Sequence, residues 1–139
     1  MTNRLLTAFA AALLLAGPVL AATPSVEHEP PSPPYKKVST LVPLPSFLPG
    51  LGTLYVDPKT LPIGPFLAYD HHGRLVSTIY MVPLKDFDGH QSISYVKAPG
   101  GRVDHVSFVF NAGHPGVAEL HYHIILWHIT KAEEARVAK

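Results

Sequence analysis

From Gly52 onward the chain is divided into apolar runs of four to eight residues, each closed by a glycine, proline or aspartate turn. "TLYV" (53–56) runs into "DPKTLP", "FLAY" (66–69) into "DHHG", and "LVSTIYMV" (75–82) leaves that turn. "SISYVKA" (92–98) ends in "PGG", and "VDHVSFVF" (103–110) ends in "NAGHPG". Short runs at regular spacing predict a mainly β domain: an antiparallel sheet, a sandwich or a small barrel-like domain. Gly73 supplies the positive φ that a short hairpin loop needs. Thr130 followed by Glu133 is a capping-box signature and predicts a short C-terminal helix, held by packing rather than propensity.

The N-terminus reads differently. Arg4, the apolar run from Leu5 to Gly17 and the small residues Val19 and Ala21 form a secretory signal pattern over residues 1–22. The run is shorter than the ~20 residues of a membrane span. The expectation is therefore an exported protein, periplasmic or extracellular, with no stable membrane span after cleavage. The alternative is an uncleaved anchor. Residues 23–50 form a proline-rich arm, polar in "EHEPPSPPYKK" and apolar from Leu41 to Leu48. The polar half suits an extended polyproline-like conformation. Residues 51–139 are expected to be the β-rich domain.

Eleven Lys and Arg stand against ten Asp and Glu, and losing Arg4 would leave ten of each. This balance gives no reason to expect nucleic acid as a partner. No cysteine is present, so stability must come from packing, prolines or assembly. With two Asn, one Gln and two Met, the chain is also poor in thermolabile residues, a thermophile tendency.

Chemistry concentrates in "AELHYHIILWHIT", 118–130. Side chains alternate faces along a strand. The even face (Leu120, Tyr122, Ile124, Leu126, His128) is apolar almost throughout and is assigned to the core. By the same parity Val106, Phe108 and Phe110 face the core and His105 faces solvent. The odd face carries Glu119, His121 and His123, then Ile125, Trp127 and Ile129. A His-x-His pair lets two imidazoles converge on one ion, with Glu119 or His114 as a third ligand. Such a site would suit a first-row transition metal such as zinc, and open positions would permit hydrolytic or oxidative chemistry. The competing expectation, preferred here, is that these histidines are structural or line an interface and that no cofactor is bound. Leu44, Phe47, Ile125, Trp127 and Ile129 are the expected interface residues. His71 and His72 are expected in an exposed loop and His28 in the arm. "DFDG" before His90 lacks the downstream glutamate of a calcium loop. No Gly-x-Ser-x-Gly elbow or phosphate loop is present, and the chain is not expected to be an enzyme.

Residues 52–87, with "LPIGP" at 61–65, and residues 111–138, with Gly113-His114-Pro115 before the His-rich strand, resemble a small group of exported bacterial proteins of unknown function. Its type member is controlled by an extracytoplasmic stress sigma factor in a thermophile. The resemblance implies a β-rich, homo-oligomeric protein with a part in an envelope stress response, and no known reaction. The family strand carries His, then Asp, then His at two-residue steps. His121 matches the first, while His123 and Ile125 fall at the other two. The resemblance therefore carries over His114 and His121 and not a three-ligand site.

Overall fold

The computed structural model describes residues 25–139. The secretory-signal expectation for residues 1–22 lies outside the described residues. Six strands form one antiparallel sheet: β1 (Lys36–Lys37), β2 (Thr53–Val56), β3 (Phe66–Tyr69), β4 (Leu75–Pro83), β5 (His105–Asn111) and β6 (His121–Trp127). Their order is β1-β2-β3-β4-β6-β5, so β6 lies between β4 and β5. The expectation of a mainly β fold holds. One short helix, α1 (Leu84–Asp88), follows β4, and the chain closes in a 3-10 helix, Lys131–Val137. There the Glu133 carboxylate accepts from both the N–H and the hydroxyl of Thr130, each at 2.9 Å. Among the described residues no helix is long and apolar enough to cross a membrane.

Two sequence expectations need correction. "SISYVKA" is not a strand. Tyr95 within it has φ +61, a left-handed conformation that ends an extended run. This segment and the turn after it instead lend carbonyls to side chains on one face of the sheet: Lys97 to the Tyr80 hydroxyl at 2.6 Å, and Pro99 to the Thr78 hydroxyl at 2.7 Å.

The second correction is the parity of β5 and β6. The odd face of β6 is the core: His121, His123, Ile125 and Trp127 are buried, as is Ile129 just beyond the strand. The even residues Tyr122, Ile124, Leu126 and His128 are only half-buried, and Leu120 is exposed. On β5, Val106, Phe108 and Phe110 point out, with Phe108 67% exposed. Register explains this. Ile125 lies opposite Ile79, and Trp127 opposite Ser77, on a face that also carries Phe66 and Val56. Val38, Val42, Leu44, Phe47 and Leu51 cover that face from one side, and Val137 returns from the C-terminus.

Ile125, Trp127 and Ile129 are thus buried inside their own chain and are not free to form an interface. Leu44 packs on the same core, and Phe47 stacks on His71 with ring centroids 3.7 Å apart. His105 is not solvent-facing. It stacks on Trp127 and lies between Asp104 and Glu134, at 2.9 and 2.7 Å. Those hydrogen bonds, first to Asp104 and then to Glu134, raise its pKa.

The C-terminus is tied down by a buried ion pair. Asp70, 1% exposed, accepts from the backbone N–H groups of His72 and Arg74, both at 2.9 Å, and from the Arg136 guanidinium. Burial works to raise the Asp70 pKa, but the N–H groups of Arg74, Arg136 and His72 together bring it below its ordinary value. A carboxylate of that kind stabilises the fold above its unfolded pKa, about 3.9, and the contribution is lost as pH falls through the folded value. Replacing Arg136 by Ala strands this carboxylate, leaving Arg74 at 3.5 Å as its remaining cation. The expected cost is about 2–4 kcal/mol, read as a lowered urea midpoint at pH 7.

Candidate functional site

Three histidines meet at the end of β6. The two-residue repeat of the strand puts His121 and His123 on the buried face, one opposite Pro83 and the other opposite Met81. His114 arrives from the loop after β5. That loop is pinned by reciprocal backbone bonds between His114 and Val117, both at 2.9 Å. The turn residues are Pro115 and Gly116. Proline fixes its own φ, and Gly116 adopts φ +91, which a side chain would strain. A Cβ there would also stand 3.0 Å from Val42. The tight turn therefore aims the His114 ring at β6.

One candidate ligand nitrogen from each histidine lies within 4.8 Å of the other two. The Nε2 atoms of His121 and His123 are 3.0 Å apart. Ring centroids are 4.9 Å apart for His114–His121 and for His121–His123, and 5.7 Å for His114–His123. His121 is fully buried.

The tautomers follow from the acceptors. A carbonyl can only accept, so His121 Nδ1 carries the proton it donates to Glu119 O at 2.6 Å. His114 Nδ1 likewise donates to Pro115 O at 2.9 Å. In the neutral form of each ring the lone pair then sits on Nε2. Backbone carbonyls commonly fix metal-binding imidazoles in this way. His123 is held neutral: burial first, then His121 and His114, lower its pKa from 6.5 to about 4.

Glu119 does not join the cluster. Its carboxylate is exposed and bonds Lys85 Nζ at 2.7 Å. Only its backbone carbonyl takes part, through His121. The other histidines lie elsewhere. His71 reaches the carbonyl of Lys139 at 2.7 Å, and His128 bridges the Thr78 hydroxyl and the Arg102 carbonyl at 2.9 and 3.1 Å. His28 lies beside Arg74 at the far side of the sheet, and His90 is exposed.

Sequence reasoning did not find the cavity beside the cluster. It is half-open, about 320 Å³, and lies between the sheet and the segment 38–51. Val42, Leu44, Leu51, Phe66, Ile79 and Met81 are among its walls, while Asn111, His114 and His123 supply polar groups. The clue in the sequence was the run of apolar residues within the proline-rich arm, too apolar for a free linker.

Among solved structures, the chain is similar to the hypothetical protein TTHB210 from Thermus thermophilus. The two are 48% identical, with a TM-score of 0.59, over 68% of this chain and 93% of that one. The chain belongs to the same family as this Thermus protein. No family model and no curated protein matches it. The relationship brings a fold and an uncharacterised family but no activity, so the chemistry must be argued from the histidines.

The burial of His123 has a measurable consequence. An imidazole with a folded pKa near 4 and an unfolded value of 6.5 takes up its proton more readily when unfolded. Stability is then fully present above about 6.5 and falls as pH drops towards 4. The protein in chelator-containing buffer should show a urea midpoint that declines between pH 7 and pH 4.5, and His123→Gln should flatten that decline.

Proposed function

We propose that this protein binds one first-row divalent transition metal, zinc or a close analogue, through Nε2 of His114, Nε2 of His121 and one ring nitrogen of His123. The observation that carries the reading is the convergence of three imidazoles whose outward nitrogens are tied to carbonyls in two of the three cases. Two nitrogens bound to one zinc at about 2.1 Å stand roughly 3.0–3.4 Å apart. The His121–His123 separation of 3.0 Å fits that range. His114 needs to close by on the order of 1 Å to join them, a movement its half-exposed position permits. Neutral imidazoles are the protonation state a metal requires. The reading is of a binding protein, and no reaction is assigned to it. Export and an envelope-stress setting are parts of the proposal that rest on the signal-like N-terminus and the family resemblance.

Purified protein titrated with zinc or cobalt(II) should bind one ion per chain with micromolar affinity or better. His114→Ala and His123→Gln should each weaken binding at least tenfold. Circular dichroism separates lost affinity from lost folding. Failure of the folded wild-type protein to take up zinc, cobalt or nickel would end the proposal.

A second reading is self-assembly, supported by a specific observation. Val106, Phe108, Val109 and Phe110 on edge strand β5 are all exposed. An apolar edge of this kind on a single subunit invites a partner strand. In light scattering the wild type should exceed the mass of one chain. Phe108→Glu should shift the distribution towards the monomer while leaving the metal stoichiometry unchanged.

A further inference from the structure

We infer that the cavity beside the histidine cluster binds a small aliphatic monocarboxylate, with its hydrocarbon chain in the cavity and its carboxylate on the metal. The inference rests on the three-histidine metal reading and adds the chemical class of the ligand.

The charge of the site comes first. Three neutral imidazoles leave a divalent ion with its full charge. Among the described residues neither Asp nor Glu lines the cavity, and the Glu119 carboxylate is turned towards Lys85. A buried cation without an anionic partner is costly. Three protein ligands also leave at least one coordination position open. An anion supplied from outside would meet both needs.

The shape of the site comes second. The polar side chains of the cavity, Asn111, His114 and His123, belong to β5, β6 and the loop joining them. Its roof and floor are aliphatic, with Val42, Leu44 and Leu51 above and Ile79 and Met81 below. Because Asn111 Oδ1 already accepts from the N–H of Gly113 at 2.8 Å, its oxygen is engaged. Among the described residues neither Lys nor Arg lines the cavity. A free carboxylate would find no counter-charge there, so the metal is the feature that would hold it. The volume is comparable to on the order of ten water-sized groups, which suits octanoate better than acetate or a long-chain fatty acid.

The test uses the full chain loaded with cobalt(II) and, as the probe, octanoate. Octanoate should bind, should change the cobalt absorption bands, and should bind at least tenfold more weakly to metal-free protein. Each methylene removed, from octanoate to hexanoate to butyrate, should weaken binding about fourfold per methylene. Octanol, which matches the chain but lacks the charge, should bind much more weakly than octanoate. Leu44→Trp should occlude the cavity and weaken octanoate, with metal content and circular dichroism measured in parallel. Equal octanoate binding with and without cobalt, unchanged cobalt bands, or an affinity independent of chain length would each overturn the inference and leave the metal reading standing. If the folded protein takes up no metal, both fall together.

Discussion

The structure depends on the register between β4 and β6. Seven residue pairs, from Ser77 with Trp127 to Pro83 with His121, run without a slip. This ladder decides which side of β6 meets the interior. A shift of one residue would turn every β6 side chain to the opposite face. Trp127, Ile125 and both strand histidines would leave the core, and the apolar cover from residues 38–51 would have nothing matching beneath it. β5 inherits the same alignment through its own pairs with β6, Asn111 with His121 at one end and His105 with Trp127 at the other.

That alignment carries a cost. It buries two imidazoles in the interior while leaving large apolar groups of β5 in water. Burial of a polar ring is tolerable when its nitrogens are bonded. His121 meets this condition through the carbonyl of Glu119 and the ring of His123. The fold thus holds two imidazoles close together at a point where an aliphatic pair would need no such bonds. Sites that bind ligands commonly depart from the arrangement that would maximise stability.

The sheet was largely legible in the sequence because its punctuation is strong. Asp57-Pro58 and the Asp70–Gly73 turn delimit β2, β3 and β4 closely, and the run at 118–130 reads as extended. Histidine counted as a polar residue points to the wrong face of β6. Counting apolar side chains favours Leu120, Tyr122, Ile124 and Leu126 as the inner face, yet that count cannot see that His121 and His123 satisfy one another. The buried side is set by where the N-terminal segment and the C-terminal turn come back to the sheet, and alternation within one strand carries no information about that. "SISYVKA" alternates like a strand, but the left-handed Tyr95 breaks it. His114 could be connected to the strand histidines through the Pro115–Gly116 turn. The cavity could not be read, because its walls come from segments more than sixty residues apart.

The roof over that cavity comes from residues 38–51, whereas the histidines come from residues 114–123. Contacts between such distant parts of a chain form late, because a long loop must close first. A chain still growing at its C-terminus would own the roof and lack the ligands. The pocket can therefore come into being only after nearly the whole polypeptide has been synthesised. The site is thus completed at the end of folding rather than at its start.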